Sequence, residues 1–492
     1  MSDPSTGGSI RSLGSSNSEV RTLSGIGNFN YTFMNRYILN GTVNYEGKSS
    51  LGKAHRWGLF PSVGLAWHAQ EENFLKDVKW LDQLKFRTSI GQSGQAPSGT
   101  APYVGTYSSI GQYVTNEAIA PSSMQLNKLK WESSTEADLG VDLGLFNNKL
   151  TMTFDYYYKY TNDLLQTSVS IPSSTGYNGQ GNKISYFNSG ALSNRGWEYR
   201  IDYEVFKNDD WIISTNFNIN RNINTIESLP ENLQENTYSL KNGAYAQKLI
   251  TGTPVGSFFG YKYAGVYQNT EETYARDADG NIMVNLFDDP IVMKNGRFTC
   301  YPGDAKYVDL NNDGIINEKD IIYIGNSMPL VTGGGGFNFK YRNLSVTTFF
   351  HYRLGQKIIN KARMDSESMY GTDNQSTAVL RRWRNEGDDT NIPRALWGYG
   401  LNYLGSDRFV EDCSFLRLKT LSVSYNVPKK ICKKLYTNSI NIFLTGYDMF
   451  TWTNYTGQDP EVSLPNGITE LAYDNSQTPR SKRYAAGITV NF

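Results

Sequence analysis

Cysteine and histidine are scarce in this chain of 492 residues, which holds three of each. Cys300, Cys413 and Cys432 are an odd number with no C-x-x-C spacing, so neither a disulfide framework nor a zinc site is indicated. His55, His68 and His351 lie far apart, which leaves metal and triad chemistry little to draw on. Long apolar runs are missing too: no stretch of about 18 apolar residues offers a membrane-crossing helix. Met1 to Ser18 is rich in Ser and Gly and has no apolar core of the signal-peptide kind. There is no excess of either charge, with 47 basic and 47 acidic residues, and no basic block that would mark a nucleic-acid partner. Enzyme motifs fail as well. No G-x-S-x-G occurs, and Gly41 stands one residue too far from Gly47-Lys48-Ser49 to complete a phosphate loop.

What is present is tyrosine, glycine and a repeated alternation. The 34 Tyr, 46 Gly, 13% aromatics and mean hydropathy of −0.50 fit many strands and long turns better than helical bundles. From Lys149 to Tyr160, one side carries Leu150, Met152, Phe154, Tyr156, Tyr158 and Tyr160, and the other Lys149, Thr151, Thr153, Asp155, Tyr157 and Lys159. Glu136–Leu145 opposes Ala137, Leu139, Val141, Leu143 and Leu145 to Glu136, Asp138 and Asp142. Trp197–Val205 opposes Trp197, Tyr199, Ile201, Tyr203 and Val205 to Glu198, Arg200, Asp202 and Glu204. In a strand these sets point to opposite faces. Long segments with apolar and charged faces are what a closed barrel in lipid needs, since lipid leaves no backbone group unpaired.

Roughly thirteen such segments are predicted: 22–33, 35–46, 57–70, 82–92, 134–146, 149–161, 193–206, 210–222, 330–341, 343–354, 412–427, 437–450 and 482–492. Short links, at Met34-Asn35, Asn147-Asn148, Lys207 to Asp210 and Arg342-Asn343, alternate with long ones over 93–133, 162–192, 223–329, 355–411 and 451–481. A longer short-side link spans Pro428 to Tyr436, and a helix-prone one spans Glu71 to Leu81. Outer-membrane barrels show this asymmetry, with the long loops outside the cell, and a sandwich or propeller gives no reason for it. Gly487 to Phe492 adds alternating apolar residues and a terminal aromatic, which resembles the signal read during barrel insertion. An odd count, where complete barrels are normally even, predicts that strands are missing upstream, unless Val255 to Gln268 holds one more.

Several ordered stretches together resemble the SusC/RagA family of TonB-dependent outer-membrane transporters of Bacteroidota. They are Arg36 to Leu39, Arg56 to Val63, Phe74 to Leu81, Leu129 to Glu132, Phe146 to Leu150, Asn194 to Glu198, Gly256 to Tyr261, Gly303 to Gly325 and Phe409 to Leu418. The resemblance runs from about residue 20 to the end. It implies an all-β, antiparallel transmembrane barrel of about 22 strands with a plug in its lumen, of which this chain is a C-terminal part. On that basis 1–20 is a loop remnant and 21–492 barrel wall, with a large extracellular loop over 223–329. The implied activity is uptake of glycans or peptides across the outer membrane, not catalysis. The implied partners are outer-membrane lipid, a SusD-like lipoprotein, and TonB acting through the missing N-terminal region. The alternatives are a surface-exposed binding protein that does not transport, and a truncated, non-functional fragment.

The sharpest local motif is Asp309 to Asp320. It places oxygen ligands at Asp309, Asn311 and Asp313, Gly314 at the sixth position, the Ile315 carbonyl at the seventh and Asp320 at the twelfth, the spacing of a calcium loop. Asp in place of Glu at the twelfth position shortens the bidentate reach, and a plain Asn/Asp/Gly surface turn is the alternative. Calcium is the one cofactor expected. Asp138, Asp142, Glu198, Arg200, Asp202 and Glu204 are expected on a solvated or paired interior face. Trp383, Trp397, Tyr399, Tyr403 and Tyr455 fall in long connections, where rings pack the loop, stack on sugars or meet a protein.

Overall fold

The structure, a computed structural model, describes residues 17–492 apart from 115, 173, 175–176, 178–182, 231–239, 247–248 and 462–470. Most of the expected loop remnant at 1–20 therefore lies outside the described residues.

Thirteen strands form one sheet whose order follows the sequence. They are β1 (Thr22–Phe33), β2 (Tyr37–Lys48), β3 (Trp57–His68), β4 (Leu81–Gln95), β5 (Glu132–Leu145), β6 (Leu150–Asn162), β7 (Ala191–Lys207), β8 (Trp211–Ser228), β9 (Val331–Tyr341), β10 (Leu344–Leu354), β11 (Phe415–Asn426), β12 (Ser439–Thr453) and β13 (Arg483–Asn491). Each matches one predicted segment. The tight links use left-handed backbone: Met34 and Asn35 both take positive φ, which Asn tolerates well, and the Arg36 N–H donates to the Phe33 carbonyl at 3.0 Å. Phe146, Asn147 and Asn148 are likewise left-handed.

Two expectations change and one alternative drops out. β8 runs six residues past the predicted 222 to Ser228, so the long connection starts later than 223. The cause is distant in sequence: the Ile226 N–H donates to the Thr253 carbonyl at 3.0 Å, and the Val255 N–H to Asn224 Oδ1 at 2.7 Å. The link Glu71–Leu81 is a run of turns after the short 3-10 turn Ala69–Glu71, not a longer helix. Trp67 Nε1 donates to Glu72 Oε1 at 3.2 Å, and the Leu84 N–H to Gln70 Oε1 at 3.1 Å, which pins both ends of the link. Finally, Val255–Gln268 adds nothing to the large sheet. Its strands Ser257–Gly260 and Tyr263–Val266 pair instead with Ile322–Asn326 and Ala305–Tyr307.

Two compact units divide the chain. The first takes the segments ending at Leu65 together with Ser89–Ala137 and Lys159–Ala191, and the second Ala66–Thr88, Asp138–Tyr158 and Leu192–Phe492. In the first, Phe29, Tyr31 and Phe33 alternate along β1 with ring centroids 6.5 Å apart, and all three are exposed. Their β2 neighbours on the same face, Tyr37, Val43 and Tyr45, are exposed as well. The other face holds Asn28, Asn30, Asn40, Asn44 and Glu46. In the second unit, exposed Ile442, Leu444, Phe450 and Trp452 continue the pattern on β12, and Phe154, Tyr156 and Tyr158 do so on β6. Burying one such side chain is worth about 1.5–3 kcal/mol, so water does not tolerate a sheet face built this way. Hydrocarbon does.

The buried cores lie largely in the long connections. Within the second unit, Phe258, Ile358, Ile359, Met364, Phe409 and Cys413 form one cluster, and Tyr261, Tyr267, Ala275, Cys300, Tyr307 and Leu404 another. The connections after β8, β10 and β12 thus share hydrophobic cores rather than hanging free. In the first unit, Leu51, Phe60, Leu129 and Trp131 make a smaller cluster.

Candidate functional site

The polar faces of the strands carry ion pairs. Arg87 on β4 donates from Nε to Asp142 Oδ2 at 3.1 Å and from Nη2 to Asp142 Oδ1 at 3.2 Å, while Nη2 also lies 2.7 Å from Asp155 Oδ1. Asp138 stands 3.8 Å from the same guanidinium, and Lys85 3.8 Å from Asp142. The guanidinium lies over Gly140, where a Cβ would come within 2.6 Å of Arg87 Cζ and of Asp155 Oδ1. Of the other expected interior charges, Arg200 pairs with Asp202 at 2.7 Å and Glu204 with Lys207 at 3.2 Å. Glu198 is exposed on β7. Asp138 and Asp142 are thus drawn together, while on β7 Arg200, Asp202 and Glu204 pair locally and Glu198 faces solvent.

A second network joins β11 and β12 to the connection that follows them. Arg417, only 3% exposed at its side chain, binds Asp459 through Nη2 and donates from Nη1 to Glu461 Oε2 at 2.9 Å. Lys419 Nζ reaches Glu461 Oε2 at 2.6 Å and Asp448 Oδ1 at 3.2 Å, and Arg480 Nε lies 3.1 Å from Glu461. Three cations face three carboxylates, which is how buried charges become tolerable. A bulge makes this possible: the β11–β12 register shifts between Leu418 and Thr420, opposite Asp448, whose φ is 52°. Burial acts to raise the Asp459 carboxyl, but hydrogen bonds from Arg417 and from the Arg480 and Glu461 amides outweigh it and hold it below the usual range. These cations were not among the expected interior charges, although the alternation Arg417-Leu418-Lys419 is a local signal for two on one face. Their partners, Asp459 and Glu461, had no local signal.

The two strand histidines have structural surroundings. His68 Nδ1 lies 3.2 Å from Gln70 Nε2. His351 pairs in register with Arg417, meets Phe415 edge-on at 5.5 Å and faces Glu461 at 4.0 Å. Neither arrangement supplies a nucleophile.

The segment from Asp309 to Asp320 folds as a chain of side-chain turns. Asp309 Oδ2 accepts from the Gly314 N–H at 2.7 Å, Asp313 Oδ1 from the Ile315 N–H at 2.9 Å, and Asp313 Oδ2 from Asn311 Nδ2 at 2.8 Å. Asn317 Nδ2 donates to the Ile315 carbonyl at 3.0 Å. Asp320 is fully buried and accepts from the Leu310 and Asn317 amides at 2.9 and 2.8 Å. Burial, reinforced by the nearby negative Asp309 and Asp313, pushes the Asp320 carboxyl up. Asp309 Oδ1 is buried without a hydrogen-bond partner. Among the described residues, no three His, Cys, Asp or Glu side chains gather closely enough to hold a metal ion.

The five aromatic residues singled out in the long connections, Trp383, Trp397, Tyr399, Tyr403 and Tyr455, separate into two kinds. Tyr455 is buried with its hydroxyl 2.5 Å from Asp474 Oδ2, and the Trp383 ring occupies the space beside Gly303. Tyr403 is half-buried against Tyr370, with ring centroids 5.7 Å apart. These three pack the loops. Trp397 and Tyr399 remain exposed.

Comparison with known proteins gives a consistent picture. Residues 2–299 match the family model described as TonB dependent receptor-like, beta-barrel. TonB-dependent receptor P3 of Formosa agariphila is 30% identical over 491 residues, covering 96% of this chain and 46% of that protein. TonB-dependent receptor SusC of Bacteroides thetaiotaomicron is 29% identical over 487 residues, covering 95% and 43%. Among solved structures, that of the RagAB peptide transporter superposes with a TM-score of 0.79 at 25% identity, over 99% of this chain and 50% of the other. The chain spans about half the length of the curated relatives it matches.

Proposed function

The chain belongs to the family of TonB-dependent receptor β-barrels, and on that premise we propose that it forms the wall and long loops of a receptor importing oligosaccharides or peptides. It is an outer-membrane protein of the barrel kind, and its family is one of receptors and transporters rather than enzymes. The observation that carries the reading is the two-faced strand: on β6 the uncovered rings Phe154, Tyr156 and Tyr158 alternate with Asp155, which is ion-paired to Arg87 beside Asp142. In this reading the long connections face the outside medium, and a SusD-like surface lipoprotein covers them. TonB supplies energy through a part of the receptor outside these residues. Uptake of a labelled oligosaccharide or peptide mixture by cells with and without the gene tests it. Loss of uptake on deletion, and equal loss on removal of TonB, is the expected result. Unchanged uptake in the deletion strain overturns it.

For the segment Asp309–Asp320 the proposal is a weak structural calcium site. Its support is the unpartnered buried Asp309 Oδ1 and the raised Asp320, both of which a divalent cation would satisfy once Asp313 and Asp320 close on it.

A further inference from the structure

Two rings of the long connections are held outward by a tethered backbone. Trp397 is 70% exposed and Tyr399 56%. Their segment is fixed on both sides: the Arg394 N–H donates to the Gly303 carbonyl at 2.8 Å, the Gly398 N–H to the Tyr370 carbonyl at 2.9 Å, and Asn242 Nδ2 to the Gly400 carbonyl at 2.9 Å. Gly398 and Gly400 take φ of 61° and 73°, conformations that bend the chain around Trp397 and Tyr399. The Leu396 side chain folds under Gly400, with Cδ1 2.6 Å from where a Cβ would stand. A loose loop exposes rings at no extra ordering cost, but this arch has already lost its freedom and still presents them to water.

Guanidinium groups stand over the rings of the neighbouring segment Arg297–Tyr301. Tyr399 packs edge-on against Phe298 with centroids 4.8 Å apart, and the Arg297 guanidinium lies 5.0 Å above the Phe298 ring. Three residues after Phe298, the exposed ring of Tyr301 lies 5.6 Å from the Arg394 guanidinium. Arg394 is itself clamped by Asp304 at 2.7 and 3.1 Å. Open aromatic faces beside oriented N–H donors suit one chemical class well. A pyranose ring offers a face of C–H groups to stack and a rim of hydroxyls to accept hydrogen bonds. A hydrocarbon surface has no use for the guanidinium donors. A protein partner of ordinary size would cover about 800 Å² with a continuous apolar centre, whereas this patch is broken up by arginines.

We propose that Trp397 and Tyr399, backed by Phe298 and Arg297, form an external stacking platform for the pyranose rings of an oligosaccharide. The platform rests on the reading that these connections face the outside medium, and it is separate from the ion-paired faces of the strands. It captures solute; it performs no chemistry.

The test is calorimetric binding to the receptor purified from outer membranes in detergent. The probes are hexasaccharides of glucose, xylose, mannose and galacturonic acid, with an alanine-glycine hexapeptide as control. Saturable binding of at least one glycan is expected, weakened tenfold or more by Trp397→Ala and by Tyr399→Ala and largely restored in Trp397→Phe. Heat-modifiable gel mobility confirms that each variant has folded. The proposal is overturned if none of the four glycans binds, if binding ignores both substitutions, or if the hexapeptide is the ligand they abolish. Cellular uptake is scored separately. Uptake without platform binding sinks the platform alone, and platform binding with uptake unchanged on gene deletion sinks the transport reading alone.

Discussion

Tyr352 on β10 donates its hydroxyl to the Asn218 carbonyl on β8 at 3.0 Å, passing over β9 where Gly333 has no side chain. A Cβ on Gly333 would collide with that carbonyl and stand 2.5 Å from the Tyr352 hydroxyl. The ring, stacked against Phe217 at 6.1 Å, thus covers a glycine in the middle of the sheet. Tyr352→Phe removes one hydrogen bond and is expected to cost about 1 kcal/mol. Gly333→Ala displaces the ring as well and should cost more, about 2–3 kcal/mol. Urea unfolding in detergent micelles, followed by tryptophan fluorescence, measures both. Equal effects would mean the glycine is not there for the ring.

Gly140 and Arg87 have a similar relation with charge added. Gly140→Ala places a methyl 2.6 Å from the guanidinium carbon and should break the fork to Asp142 and Asp155. The expected cost is about 2 kcal/mol, and Arg87→Met should cancel most of the further effect of Gly140→Ala in a double-mutant cycle. Additive losses would show that the glycine acts through something other than the guanidinium.

Acid should loosen the connection after β12 before it unfolds the strands. Asp459 is held low as described above. Glu411 is also depressed: burial raises it, but hydrogen bonds from Thr456 and Arg363 outweigh that. A depressed carboxyl contributes stability above its unfolded pKa of about 4, lost as pH falls through the lower folded value. Hydrogen exchange over residues 454–461 should therefore stay slow from pH 5 to 8, after correction for intrinsic rates, and quicken below about pH 4. Arg417→Met, which strands Asp459 and Glu461 without their guanidinium, should cost about 3–5 kcal/mol and remove that protection at neutral pH. Retained protection in Arg417→Met would show that the network is not what holds the segment.

Calcium has the opposite sign. A raised Asp320 contributes stability below its unfolded pKa of about 4, and that contribution is lost as pH rises through the folded value, so an added cation has most to offer at neutral pH. With a dissociation constant of about 0.1 mM, as in extracellular calcium modules, 5 mM calcium stabilises by about 2 kcal/mol. A calcium-dependent rise in the apparent melting temperature at pH 7, absent in Asp309→Asn, is expected. No shift with calcium against chelator would leave the segment as a hydrogen-bonded turn.

The thiols should be silent in the folded protein. Burial pushes the Cys300 and Cys413 thiols up to about 12, and Cys432 is buried beside the Val427 carbonyl. A disulfide dye at pH 8 should label none of the three within an hour in detergent and all three after denaturation. Prompt labelling of any one would contradict its burial.

Strand positions, turn positions and the polarity of each face were legible in the sequence, because side-chain alternation follows from the covalent geometry of an extended chain. Phe154, Tyr156, Tyr158 and Tyr160 alternate in exposure as they alternate in sequence. Asn35, Asn147 and Asn148 mark turns because asparagine tolerates positive φ. The candidate sites were legible only as residue types. Nothing near Trp397 or Trp383 in sequence says that the first is open to solvent and the second is packed beside Gly303.

What the sequence determined by itself is a two-faced, strand-built chain suited to lipid on one side and polar groups on the other. Only the tertiary structure decided the extension of β8, the bulge that sets Lys419 opposite Asp448, and the shared cores of the long connections. The reason is distance along the chain. Tyr245 donates to the Ser406 carbonyl and Arg394 clamps Asp304 across separations of 161 and 90 residues, and no local periodicity encodes such a pairing.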